Sequence, residues 1–331
     1  MTFLMAQYGT GHGHAGGKLQ AMLNNPDVHC VGVYEPDRIR RETLESSTGS
    51  PYQEVRWFDQ IEDILDNRDI IAVASEGRND ESLAQTEELV RSGKHVWYDK
   101  PAGDDWPSWQ GVIKEVEKKN LQMQMGYMFR YHDGFQKIAD WARSGMLGDI
   151  FSIRAHMSTN IPSSSREIIS VHKGGIFYDL GGHMLDQIVW ILGRPEKVTA
   201  FLRNDTGESP EFIDNGLGVF EFKNAMAFVD IAAMETNPTA RRYEVYGTEG
   251  SAILLDPFEP GKDIRLVLSQ SREGFPSGES FVSLESKSRQ TLYDCELNAL
   301  IRTIAGKQPP DRPLSHELIV QESLLRATRG I

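Results

Sequence analysis

The sequence predicts an α/β domain with a doubly wound parallel sheet, followed by an α+β domain whose sheet is mainly antiparallel. Three observations predict it. Over the first 125 residues short apolar runs alternate with amphipathic helical stretches, which implies a parallel sheet covered on both faces. From about residue 126 strand-like runs follow one another across short turns, as in antiparallel sheets. The chain has 331 residues, length enough for two cores at roughly 100–200 residues each. The expected domains are therefore 1–125 and 126–331.

Taken in order, Thr2–Tyr8 is a mostly apolar run that ends in glycines. His14–Asn24 follows, with Ala15, Leu19, Met22 and Leu23 at helical spacing. Val28–Tyr34 is β-rich, and Asp37–Ser46 is helical after Pro36. Asp69–Ala74 has the makings of a buried strand, and Leu83–Val90 those of a helix, with Gly93 just past its end. His95–Tyr98 is a strand. Trp109, Val112, Ile113 and Val116 form a helical stripe, and Leu121–Met125 closes the series. Beyond it, Gln136–Arg143 is helical and Ile150–Met157 a strand, followed by a Ser/Pro-rich loop from Asn160 to Ser165. Strands are expected at Val198–Leu202, Leu217–Phe222, Ala225–Ala232, Arg242–Tyr246 and Ala252–Leu255. The turns at Lys223-Asn224 and Thr248-Glu249-Gly250 are hairpin-like. Two helices, Leu292–Ile304 and Glu317–Ala327, flank a Pro-rich connection.

Composition narrows the function. Against 48 acidic residues stand 35 basic ones, a net charge of −13, which argues against a nucleic-acid footprint or an anionic-membrane surface. No apolar run approaches the ~20 residues that span a bilayer. The first six residues lack a charged region and a long apolar stretch, so no signal peptide is expected. Cys30 and Cys295, the two cysteines, make no disulfide framework. A cytoplasmic protein is expected.

Between the first strand and the first helix lies Gly9-Thr10-Gly11-His12-Gly13-His14-Ala15-Gly16. Glycines there allow a tight turn and close approach of backbone to a pyrophosphate, and a helix N-terminus favours the anion. The frame from Gly9 has His14 at its sixth position; the frame from Gly11 satisfies GxGxxG through Gly13 and Gly16. Glu35 ends the second strand, 26 residues after Gly9. An acid there accepts hydrogen bonds from adenosine ribose hydroxyls and repels a 2′-phosphate, so NAD is favoured; Arg38, Arg40 and Arg41 leave NADP as the alternative. His12 and His14 also have the spacing of a metal pair. Such a site needs further ligands at strand ends; the first domain offers only His29 and His95 besides, and no metal is expected.

Two more segments carry chemistry. Val96-Trp97-Tyr98-Asp99-Lys100-Pro101 ends a strand, and ligands of a doubly wound sheet bind outside its carboxyl ends, so Lys100 is placed to hold a substrate hydroxyl. On the stretch from Gly174 to Asp186, helical spacing gathers Met184, Leu185, Ile188, Val189 and Leu192 on one face. His183, Asp186, Gln187 and Trp190 fall on the other, with Asp179 to their side. An imidazole with carboxylates at i−4 and i+3 suits an oriented general base, although an N-cap, a buried histidine and an ion-pair partner account for the three residues individually.

With these motifs the chain resembles the glucose–fructose oxidoreductase / inositol dehydrogenase / MocA family over nearly its whole length. The resemblance rests on the glycine turn, the Lys100-Pro101 strand end, the GG-x-x-x-D-x-G-x-H-x-x-D segment and the hairpin-rich second domain. It implies a Rossmann domain followed by a domain with a large open sheet often used for oligomerisation, hence a homodimer or homotetramer. It also implies a nicotinamide cofactor and a sugar, inositol or polyol-like substrate. Lys100 matches the family's Glu-Lys-Pro lysine, and Asp179 and His183 its Asp-x-x-x-His pair; Asp99 replaces the usual glutamate and His14 a usual small residue. The implied cofactor contacts are Gly9, Gly11, His12, Gly13, Glu35, Asp99 and Lys100. Gly126 to Tyr131 looks like the segment entering the second domain beside the active site. Arg130, Tyr178 and Asn160, with His156 and His172, are candidates for substrate recognition. In the implied mechanism His183, oriented by Asp179, accepts the hydroxyl proton while Lys100 holds the oxygen and hydride leaves for nicotinamide. Two alternatives stay open: an NAD-recycling glycosidase or lyase acting by transient oxidation, and a non-catalytic dinucleotide-sensing regulator.

Overall fold

A computed structural model describes residues 2–329. It divides into two compact units, Met1–Tyr127 with Arg289–Leu314, and Met128–Ser288 with Ser315–Ile331.

The first unit runs β1 (Phe3–Tyr8), α1 (Ala15–Asn24), β2 (Val28–Tyr34), α2 (Arg38–Glu45), the short α3 (Glu62–Leu65), β3 (Ile70–Ser75), α4 (Ser82–Arg91), β4 (His95–Tyr98), α5 (Trp106–Lys118) and β5 (Met123–Met125). The strands form one sheet in the order β2-β1-β3-β4-β5, every neighbouring pair parallel. Helical crossovers between parallel strands require this alternation. Strand order reverses between β1 and β3, so their carboxyl ends open a crevice at the switch point. Met5, Ala6, Ala72, Val73, Ala74, Val96 and Trp97 are fully buried in the sheet, as strands covered on both faces must be.

In the second unit a 3₁₀ turn (Met128–Tyr131) leads to α6 (Asp133–Arg143), β6 (Ile150–Met157), α7 (Ser163–Ile169) and α8 (Gly175–Leu192). Seven strands follow: β7 (Lys197–Arg203), β8 (Asn215–Glu221), β9 (Met226–Ala232), β10 (Arg241–Gly247), β11 (Gly250–Leu254), β12 (Asp263–Leu268) and β13 (Gly278–Ser283). With β6 they make an eight-stranded sheet, order β13-β12-β11-β10-β6-β9-β8-β7, antiparallel throughout except for the β6–β9 pair. Helix α8 covers one face. Gly216 and Gly218 of β8 allow its approach, since a Cβ on either would come within 3.0 Å and 2.6 Å of Phe177.

Three differences from the sequence reading stand out. Helix α7 occupies part of what reads as a Ser/Pro loop: Pro162 caps it with extended backbone, and serines are tolerated in the first turn of a helix. Strands β12 and β13 are not among the strands expected above: β12 carries Ile264, Leu266 and Leu268 inward in alternation, and β13 is a polar strand at the sheet edge with four of its six residues exposed and two half-buried. Finally α9 (Arg289–Ile304) packs with the first unit, although a linear boundary assigns it to the second. Gln290 donates to the Gly17 carbonyl (3.0 Å), and Asn25 to Asn298 (2.9 Å). The last helix, α10 (Leu314–Thr328), presents Leu324 to Gly181 of α8.

Candidate functional site

The turn after β1 is shaped by close backbone approach. Gly9 has φ +81°, and a Cβ there would sit 2.6 Å from the Gly77 nitrogen; one on Gly11 would sit 2.5 Å from the Arg78 side chain. Side chains at these two positions would push the turn off the end of β3. Gly13 differs, because a Cβ there meets nothing within 4 Å. Its backbone faces open space at the N-terminus of α1, the arrangement that receives a pyrophosphate.

Glu35 closes the other side of the turn. It is buried and accepts hydrogen bonds from the Thr10 amide (2.7 Å), the Thr10 hydroxyl (2.5 Å), the Asp37 amide (2.8 Å) and Arg40 (2.8 Å). Arg40 also donates to Glu81 (2.9 Å), which lies 3.1 Å from Arg78. Among these residues, with Asp37 and Asp80, four carboxylates face two guanidiniums.

Beneath the turn is a buried charge cluster. Lys18, on the inner face of α1, is fully buried, 3.0 Å from both Asp99 and Glu76 and 4.5 Å above the Trp97 ring. His12 and His14 bring their Nδ1 atoms to 3.2 Å and 3.1 Å from Asp99 Oδ2. Asp99 Oδ1 accepts the Lys100 backbone amide at 2.7 Å. Burial raises Glu76 well above the usual carboxylate range and takes Glu296 to about 8. Burial opposes the charge on Asp99 too, but His12, His14 and Lys18 overcome it and hold that carboxyl well below the usual range. Lys18 is likewise held above its ordinary value by Asp99 and Glu76 against the effect of burial. Within the cluster Lys18 faces the Asp99 carboxylate, while burial pushes Glu76 and Glu296 toward their neutral forms. His12, His14 and Asp99 have the donor types of a metal site and lie within 4.8 Å of one another. The Lys18 ammonium, 3.0 Å from Asp99, is the counter-ion this carboxylate already has.

The second unit holds the other expected residues on α8. His183 is buried, with the Phe129 ring edge-on at 5.2 Å; Asp179, one turn earlier, is half-buried. Asp186 accepts from Arg130 (3.2 Å and 2.5 Å) and Gln187 (2.8 Å) and lies 2.8 Å from His316 Nε2. Arg130, expected at the substrate, is 2% exposed and stacks 4.2 Å from the Trp190 ring. Its guanidinium is therefore a core ion pair that anchors α8. Tyr178 is fully buried and stacked on His172 at 4.7 Å, while Asn160 is exposed, bridged to Met234 just before α7. His156 lies on the sheet between Asp230 and Glu235, 2.8 Å from each.

Lys18, Glu76, Glu296 and His316 escape a sequence reading. Glu76 follows a strand end beside the switch point, a signal that could have found it. Lys18 looks like any helix lysine, and Glu296 and His316 come from distant segments with no local mark.

Two family models match the chain. One, described as oxidoreductase family, NAD-binding Rossmann fold, covers residues 6–127; the other, the GFO/IDH/MocA C-terminal domain, covers 135–253. The chain is 21% identical over 237 residues to an uncharacterized oxidoreductase of Schizosaccharomyces pombe, a match covering 69% of this chain and 64% of that protein's length. It is 23% identical over 237 residues to an inositol 2-dehydrogenase of Rhizobium meliloti, covering 70% of this chain and 69% of that one. A solved oxidoreductase from Agrobacterium radiobacter, in complex with NAD+, L-tartaric acid and magnesium, superposes with TM-score 0.79 at 17% identity, over 99% of this chain and 95% of that chain.

Proposed function

Since the chain belongs to the GFO/IDH/MocA oxidoreductase family, we propose that it is an NAD-dependent dehydrogenase. Its reaction transfers hydride between nicotinamide and the hydroxyl or keto carbon of a sugar, inositol or related polyol. The observation that carries this reading is the turn itself, with Gly9 and Gly11 pressed against the end of β3 and Gly13 open at the start of α1. The polyol class draws on the likeness to inositol 2-dehydrogenase.

The bound nicotinamide supplies the hydride acceptor. Lys100 holds the oxygen of the carbon that is oxidised, and His183, set on α8 and oriented by Asp179, takes its proton. Asn160 serves substrate recognition. Glu35 and the three carboxylates near it, against two guanidiniums, disfavour the added charge of a 2′-phosphate, so NAD is the preferred dinucleotide and NADP the poorer one. The second sheet turns Phe201, Met226 and Phe281 outward, and we assign that face to a homodimer or homotetramer. Among the described residues no helix is long and apolar enough to cross a membrane; with Cys30 and Cys295 as thiols, we place the protein in the cytoplasm.

A screen of sugars, inositols and sugar acids with NAD and NADP, followed at the nicotinamide absorbance, tests the reading. A substrate that accumulates NADH is expected, and Lys100→Met or His183→Asn should lower kcat on it by ~10²–10⁴-fold. Release of a leaving group without net NADH would identify internally recycled chemistry instead. NAD binding with no turnover of any such compound would leave a dinucleotide sensor.

A further inference from the structure

We propose that Asp99 is a positioning residue that ties the glycine turn to Lys100, with Lys18 as its counter-ion, so that the seat of the pyrophosphate and the lysine are set together. The proposal rests on the reading of the turn and of Lys100 given above. Four groups converge on one buried carboxylate. Oδ2 receives Lys18 at 3.0 Å, His14 at 3.1 Å and His12 at 3.2 Å, while Oδ1 takes the Lys100 amide at 2.7 Å. The histidines belong to the turn, Lys18 to the helix that the turn begins, and Lys100 to the end of β4.

Three further features make this a coupling rather than a local contact. The His12 amide donates to the Glu76 carbonyl at 3.0 Å, and the Glu76 carboxylate lies 3.0 Å from Lys18, so the end of β3 belongs to the same network. The space is full: a Cβ on Gly126 would come 2.7 Å from Asp99 Oδ1 and 2.9 Å from the Lys18 nitrogen. A packed, charge-assisted cluster cannot shift one member without the others. Asp99 therefore has its oxygens committed to the chain and acts on a dinucleotide through His12 and His14. That differs from the direct cofactor contact the family resemblance implies.

Hydrogen exchange of the 96–100 segment in the full chain tests the coupling, with ADP as the probe because it carries the diphosphate but no nicotinamide. Saturating ADP should slow exchange of the Lys100 amide by ~5-fold or more, the lower range of ordinary coupling between sites. The slowing should disappear in His14→Asn and His12→Asn, each measured at its own saturating ADP. In Asp99→Asn, which removes the charge that His12, His14 and Lys18 face, NAD affinity by calorimetry should fall by ~5-fold or more. Bound ADP that leaves wild-type exchange unchanged, or the same slowing in both histidine variants, would overturn the proposal while leaving the cofactor assignment intact. Failure of both ADP and NAD to bind would reject the assignment of the turn and this proposal with it. If Asp99→Asn does not fold, the two histidine variants decide the matter alone.

Discussion

Arg130 shows how the environment decides the role of a single side chain. As a sequence element it is an arginine near a predicted domain entry; in the fold it is a buried cation between Asp186 and the Trp190 ring. Removing one partner strands the other charge, so Arg130→Met should lower unfolding free energy by about 3–5 kcal/mol in a denaturant titration. Gly9 makes the opposite case, a position whose role is legible before the fold is known. With φ +81° and the Gly77 backbone 2.6 Å from any added Cβ, Gly9→Ala must distort the turn. It should cost ~1–3 kcal/mol of stability and weaken NAD binding in the same preparation, as measured by calorimetry. The contrast has a physical basis. Glycine's use follows from its backbone, which is local, whereas a guanidinium's use follows from whichever acid the tertiary fold brings to it.

Elements were readable in proportion to the strength of their own pattern. Strands β2 and β4 sit where VHCVGVY and HVWY predict them, since β-rich runs between helical stretches have few alternatives. Helix α5 carries its buried stripe of Trp109, Val112, Ile113 and Val116 and starts at Asp105, whose side chain accepts the Ser108 amide at 3.1 Å. That cap lies on the surface, and Asp105→Ala should cost about 1 kcal/mol, seen as a lower denaturation midpoint with an unchanged slope. Helix α8 required the fold for its interpretation. Its predicted apolar face is buried from Met184 to Val189, with Leu192 at its end half-buried, and so are His183, Asp186 and Gln187 opposite, because the helix has protein on both sides. Sequence spacing placed those polar residues together, but Asp186's commitment to Arg130 and His316 depends on segments 56 and 130 positions away.

At the scale of the molecule, the buried ionisable groups give stability a pH signature. Burial takes Glu296 to about 8, above its ordinary 4.5, so between these values the folded chain holds a proton that the unfolded chain has lost. Its contribution is complete below pH 4.5 and is lost as pH rises through 8. Burial lowers His14 from 6.5 to about 4, so its contribution is complete above 6.5 and is lost as pH falls toward 4. From pH 6.5 to 8 the Glu296 effect acts without opposition from His14. The midpoint of thermal unfolding should therefore fall over that range, and fall less in Glu296→Gln.

Sequence by itself determined the succession of elements, the two kinds of sheet, the glycine turn and the spacing of Asp179, His183 and Asp186, because backbone preferences and side-chain periodicity act over a few residues. Only the tertiary structure decided that α9 returns to the first unit, that Arg130 spends its charge on Asp186, and that Lys18, Asp99, Glu76 and Glu296 share one buried pocket of charge. Those outcomes depend on which distant groups lose water together, and burial is a property of the folded whole.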